Sequence, residues 1–267
     1  MNVFSTLDGN TYKIDREIYI SKTRKQFPYY QDPKKYKKPY FAICPACKNP
    51  IQIINLFFDE YVEEHTGRKN LHGRHVPIDV KELASYSQAA YDNCPLKNPV
   101  AFSVHELREN ETMNQEMLEY IQTHSKEIFD DIRKITGVLL KSTFLKGMLD
   151  NYLAAREYCY THTNMYNIPY SILYTRPAID FFGRKVSVEG VGKSICEAIN
   201  EKSKFFCVYN GQIQKREGMY VYIRLIISNH DVKKNQMMMK IEEQREDENT
   251  SNIIFKNKID IEPCIYE

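Results

Sequence analysis

The chain has 267 residues, 42% hydrophobic and 27% charged, a soluble balance with room for one large domain or two small ones. A formal net charge of only +2 excludes strong whole-chain attraction to polyanions, so any such affinity needs a local patch. No apolar run approaches the roughly 18 residues of a membrane helix. Residues 1–9 lack a charged n-region and an apolar h-region, and the seven cysteines include one close pair, which predicts reduced thiols, a cytoplasmic location and no membrane partner.

Residues 1–43 read as short strands and turns. Leu7-Asp8-Gly9-Asn10 is a hairpin turn signal, and the alternation of Ile18 and Ile20 predicts a strand over Glu17–Ser21. Residues 22–39 lose periodicity and gain prolines and lysines, which predicts a loop. Val80–Ala90 is expected to form one helix, and residues 101–111 a connector. From residue 112 the period is helical. Thr112 and Gln115 have capping-box spacing, and Met117, Ile121, Ile128, Ile132, Ile135 and Leu139 follow along helical faces. Ser142 is a candidate cap for a helix carrying Phe144, Met148 and Tyr152. Pro169 and Pro177 bound a third helical stretch, and Ser187–Asn200 a fourth. Within the last, Gly190-Val-Gly192-Lys193-Ser194 is similar to the end of a phosphate-binding P-loop. Ser187 stands where the first glycine belongs, so the segment reads as a helix N-terminus. Phe205–Tyr209 then meets Asn210-Gly211, a two-residue hairpin signal. Further strands are expected over Tyr220–Ile227, Met237–Ile241 and Ile253–Ile261, with an acidic loop over Glu242–Asn249. The predicted fold is α+β: a β-rich, zinc-ribbon-like module at residues 1–100, then helices and C-terminal antiparallel strands at 101–267.

Cys44-Pro-Ala-Cys47 sits between two apolar runs, the sequence of a metal knuckle at a hairpin tip. Such a turn places two thiolates on one ion, and zinc requires four tetrahedral donors. The other two must come from His65, His72, His75 and Cys94. Cys44-Pro-Ala-Cys-Lys-Asn-Pro is echoed by Cys94-Pro-Leu-Lys-Asn-Pro, one residue shorter and without the second cysteine. The echo favours Cys94 as third ligand and a Cys3His site closed by His75. His72 with His75 would give a Cys2His2 site instead. A thioredoxin-like redox pair lacks its βαβ context here.

The order Cys-x-x-Cys, His75-Val-Pro77, Asn93-Cys94-Pro95 and Asn98 resembles the His-Asn-His endonucleases that carry a structural zinc. That resemblance implies a general base at His75 and a metal-site residue at Asn98. Arg74 departs from the acidic or histidine ligand expected before the base. Arg156-x5-His162 is similar to the signature of the helical HEPN ribonucleases, which implies that Arg156 and His162 assist attack by a 2′-hydroxyl. Lys22, Arg24, Lys25, Lys34, Lys35, Lys37 and Lys38 stand among Phe27, Tyr29, Tyr30, Tyr36 and Tyr40. Cations that meet phosphates, interleaved with rings that stack on bases, predict DNA or RNA as a partner, with Lys34, Lys35, Lys37 and Lys38 as its contacts. The expected function is a zinc-binding protein that binds nucleic acid or another partner; the enzyme alternatives are the two nucleases.

Overall fold

A computed structural model describes residues 1–57, 71–97, 100–216, 220–246 and 250–266. The architecture is α+β, as the sequence predicts, and the chain divides into two compact units, Met1–Val100 and Ala101–Tyr266. No helix among the described residues is long and apolar enough to cross a membrane.

The first unit is built on an antiparallel sheet of order β2-β1-β3-β4-β5. Its strands are β1 (Val3–Ser5), β2 (Thr11–Lys13), β3 (Phe41–Ile43), β4 (Pro50–Ile54) and β5 (His72–His75). The turn at Leu7–Asn10 joins β1 to β2 as expected. The segment read as a strand at Glu17–Ser21 is instead part of helix α1 (Arg16–Thr23). Asp15 caps it by accepting from the N–H groups of Glu17 and Ile18 at 2.8 and 3.1 Å. Tyr19 and Thr23, four apart, are its buried residues, so the 3.6-residue period wins over the local alternation. Phe41, Ile43, Val76, Val80 and Leu83 form a small core on the sheet, with Tyr29 and Tyr36 packed against it. Residues 80–90 are not one helix. Val80 and Ala84 form a bridge, and Ser87 then caps the short helix α2 (Gln88–Asp92) by accepting from the Ala90 N–H.

The second unit has helices α3 (Glu111–Thr123), α4 (Ser125–Thr136), α5 (Ser142–Ala154), α6 (Ile168–Tyr174) and α7 (Gly190–Lys202). They share one core with a sheet of order β11-β10-β9-β6 and with the hairpin β7-β8. The strands are β6 (Ile179–Asp180), β7 (Phe206–Tyr209), β8 (Gln212–Lys215), β9 (Val221–Asp231), β10 (Gln236–Arg245) and β11 (Asn252–Asp260). The Asn210-Gly211 turn closes β7 on β8, with both residues at positive φ. Asn110, not Thr112, caps α3, accepting from the Met113 N–H at 3.0 Å. Gly137 at φ +68° ends α4, so Leu139 falls outside the helical face and is exposed. Glu242–Arg245 extend β10 rather than forming a loop. The buried Glu243 carboxylate accepts from the Ser203 hydroxyl, from the Lys204 N–H and from Asn252, which repays its burial.

The glycines near the start of α7 have a packing role. A Cβ on Gly192 would lie 2.5 Å from the Ser187 carbonyl oxygen and 2.8 Å from that of Gly137. The same Gly137 carbonyl accepts the Ser187 N–H at 2.8 Å. The backbone at Gly137 therefore presses on the first turn of α7, and only glycine permits this approach. Gly192→Ala is expected to cost about 1–3 kcal/mol of stability through overpacking of backbone atoms, measured by urea unfolding. Gly190→Ala, where a Cβ meets nothing within 4 Å, tests the other case. Its only strain is the φ of +54°, so its loss should be smaller.

Candidate metal centre

The structure brings Cys44, Cys47, His75 and Cys94 together, with one donor atom from each lying within 4.8 Å of all the others. Cys44 follows β3, Cys47 lies three residues on in the same turn, His75 ends β5, and Cys94 follows α2. Three edges of this group are 3.7 Å for Cys44 Sγ to Cys94 Sγ, 3.2 Å for Cys47 Sγ to His75 Nε2 and 3.7 Å for Cys94 Sγ to His75 Nε2. An ion bonded at about 2.3 Å to sulfur and about 2.0 Å to imidazole nitrogen has tetrahedral edges of about 3.8 and 3.6 Å. These three edges lie near the tetrahedral values, and the four donors are placed so that they can hold a metal ion.

Strand geometry decides between the histidines. His75 pairs across from Ile51 and Gly73 across from Ile53, so His75 and Gly73 share one face of β5. A Cβ on Gly73 would meet the side chains of Ile14 and Ile51, which marks that face as the packed one. His72 is three residues from His75 and so projects from the opposite face. It is not a member of the cluster. His65 and Asn98 lie outside the described residues.

The two knuckles close in parallel ways. The Lys48 N–H donates to the Cys44 carbonyl at 2.9 Å, and the Lys97 N–H donates to the Cys94 carbonyl at 3.3 Å. The first turn spans four residues and the second three, which is the one-residue difference between the two sequence copies. Backbone N–H groups also approach the sulfurs. Those of Cys47 and Asn49 stabilise the thiolates of Cys44 and Cys47, and that of Leu96 reaches Cys94 Sγ at 3.4 Å. Hydrogen bonds from the Cys44 and Cys94 thiols hold Cys47 far below the usual thiol range, against its burial. The same bonds, to Cys47 and then Cys94, together with burial, push Cys44 far above that range. A cation entering the site binds thiolates and so displaces the thiol protons.

Two outer residues hold the halves in place. Asn49 is buried, and its side chain makes a two-point bridge to the backbone of Ser87: Nδ2 donates to the carbonyl at 2.9 Å and Oδ1 accepts from the N–H at 2.7 Å. Ser87 caps α2, so Asn49 locks the Cys-x-x-Cys turn to the element that carries Cys94. Tyr91 on α2 meets the His75 ring edge-on at 5.2 Å. Sequence reasoning passed over both residues. The signal for Asn49 was present, because Lys-Asn-Pro belongs to the repeated knuckle.

The nuclease residues are engaged elsewhere. His75 Nε2 faces the sulfurs of Cys47 and Cys94 at 3.2 and 3.7 Å, which places the ring in the cysteine cluster. Arg156 lies past the end of α5 at φ 52° and pairs with Glu111 at 2.9 Å. His162 is buried. Its Nδ1 accepts the Ser103 N–H, so Nε2 carries the proton and donates to Ser171 Oγ at 3.2 Å. Burial holds its pKa down to about 4, so the ring is neutral. The Ser171 hydroxyl is further tied to Tyr152 and Thr163 at 2.9 Å each. These contacts make His162 part of a satisfied core network.

Lys34, Lys35, Lys37 and Lys38 are all exposed. The neighbouring rings are turned inward: Tyr36 packs edge-on against Phe41 at 5.0 Å, and the Tyr29 hydroxyl accepts the Leu7 N–H at 2.8 Å. Among the described residues no carboxylate forms an ion pair with Lys22, Arg24, Lys25 or these four lysines. No protein-family model, curated protein or solved structure matches the chain.

Asn49→Ala keeps all four donors and removes the bridge to Ser87. It is expected to weaken metal binding by about 10- to 100-fold, measured by competition with a chelator of known affinity.

Proposed function

We propose that residues 1–100 form a zinc-stabilised module whose ligand is nucleic acid, with the zinc in a closed structural site. The tetrahedral spacing of Cys44, Cys47, His75 and Cys94 carries the reading. Three thiolates and one imidazole suit zinc in both softness and geometry. Four protein donors leave no open position for water or substrate, so the ion's role is to join segments rather than to catalyse. The joined segments are a hairpin turn, a strand end and the short helix α2, which buries no residue of its own. Metal binding supplies the free energy that so small an apolar contact does not. A thiolate site needs reduced cysteines, and all seven are free, which supports a cytoplasmic setting.

The unpaired lysines of the loop support nucleic acid as the ligand. Lys34, Lys35, Lys37 and Lys38 have no acidic partner to neutralise them, and each can release a counterion from a phosphate backbone. With a chain charge of only +2, this local excess is a part of the first unit that would attract polyanions.

Metal analysis of the purified chain is expected to give about one zinc per monomer, as one closed site requires. Chelation is expected to lower the thermal midpoint by roughly 10 °C. A metal-free chain with an unchanged midpoint would remove the structural role. Replacing Lys34, Lys35, Lys37 and Lys38 together by Ala is expected to reduce the slope of log affinity against log salt by up to about 2.8 on single strands. An unchanged slope would show the loop to be inert.

A further inference from the structure

The structure gathers a second set of cations around one ring, in a place the linear sequence hides. Phe57 is a large apolar side chain that remains 44% exposed. The Arg16 guanidinium lies 4.9 Å from its ring centroid and the Lys25 ammonium 5.3 Å. Arg16 begins α1, Lys25 lies just past its end, and Phe57 follows β4, so three separate segments build this cluster. Tyr40 continues it, 5.4 Å from Phe57, and Tyr30 stands 5.4 Å from Tyr40. Lys38 reaches the same edge, its Nζ 3.5 Å from Asn55 Oδ1.

Two features separate this cluster from ordinary surface packing. No carboxylate among the described residues forms an ion pair with Arg16 or Lys25. Two cations converge on this one half-exposed ring, each held by a cation–π contact. Arg24 and Lys25 also take φ values of 52° and 50°, left-handed conformations that glycine adopts without strain. The chain carries two cationic side chains where its backbone favours glycine.

We infer that Phe57, flanked by Arg16 and Lys25, is a stacking subsite for one unpaired base of a single-stranded nucleic acid, with the adjoining phosphates on the two cations. The inference rests on the nucleic-acid reading of the module and adds its substrate class. Both cations lie over the Phe57 ring, so an entering base takes the place of a cation on the ring face and the displaced cation pairs with the adjoining phosphate. Stacking accepts any base, so the subsite selects for unstacked strands rather than for sequence. A duplex keeps its base faces covered and can use only the cations. Lys38 links the subsite to the row of loop lysines, which would track the backbone on either side.

The test uses the full chain loaded with zinc. Fluorescence anisotropy follows a labelled oligothymidylate of about 15 nucleotides, near one module's site size, and a duplex of the same length. The wild type is expected to prefer the single strand. Phe57→Leu keeps apolar bulk and removes the π face, and is expected to lose about 5- to 100-fold of single-strand affinity with the duplex unaffected. Arg16→Gln with Lys25→Gln changes two exposed side chains and is expected to lower the single-strand salt slope by about 1.4. This pair decides the matter if Phe57→Leu does not hold its zinc. Single-strand binding unaltered by Phe57→Leu, or equal losses on strand and duplex, would overturn the subsite and leave the lysine loop as the contact. A wild type that binds neither probe would overturn the nucleic-acid reading and the subsite with it.

Discussion

Three cysteine sulfurs and an imidazole nitrogen lie within 4.8 Å of one another, so any thiolate charge formed there is concentrated in a small volume. Cys44 and Cys94 are buried, and the backbone N–H groups aimed at the sulfurs favour the thiolate form. Such a constellation is costly by itself and favourable around a cation, because the Coulomb attraction of a bound divalent ion far exceeds the hydrogen bonds among the thiols. The first unit is organised around this requirement. Its sheet supplies Cys44 after β3 and His75 at the end of β5, on either side of β4, and Asn49 fastens the segment that brings Cys94 across.

The second unit needs no such device. Its helices and antiparallel strands share a continuous apolar core, and several of its buried polar groups have specific partners. The Glu243 carboxylate is hydrogen-bonded by Ser203 and Lys204, His162 is held by Ser103 and Ser171, and two glycines permit the close approach of α4 to α7. Each of these residues carries chemistry that resembles a catalytic signal when read singly. Burial and full hydrogen bonding convert it to structure.

The surface of the first unit divides its aromatic rings in two. Tyr29 and Tyr36 are spent on the core beneath the lysine loop, which leaves Lys34, Lys35, Lys37 and Lys38 as charge without a stacking face. Phe57 offers the face instead, with Arg16 and Lys25 beside it. A flexible row of charges and a fixed ring between cations are different instruments. In the proposed reading the first would give salt-dependent attraction, and the second would distinguish unstacked from stacked bases.

The α+β class, most helices and the C-terminal strands were legible because hydrophobic period and turn chemistry are local properties. The errors fell where a local pattern had two solutions. Ile18 and Ile20 alternate like a strand, but Asp15 caps a helix and Tyr19 with Thr23 makes its buried face. Glu242–Arg245 read as an acidic loop because the partners that hydrogen-bond Glu243 lie 39 and 40 residues away at Lys204 and Ser203. The cysteine pattern by itself determined that a metal site was possible and, through the repeated knuckle, which third cysteine it would use. Only the tertiary structure decided the histidine, since strand alternation puts His75 and not His72 on the packed face. It alone assembled Arg16, Lys25 and Phe57, because a sequence records spacing along the chain and stacking depends on distance through space.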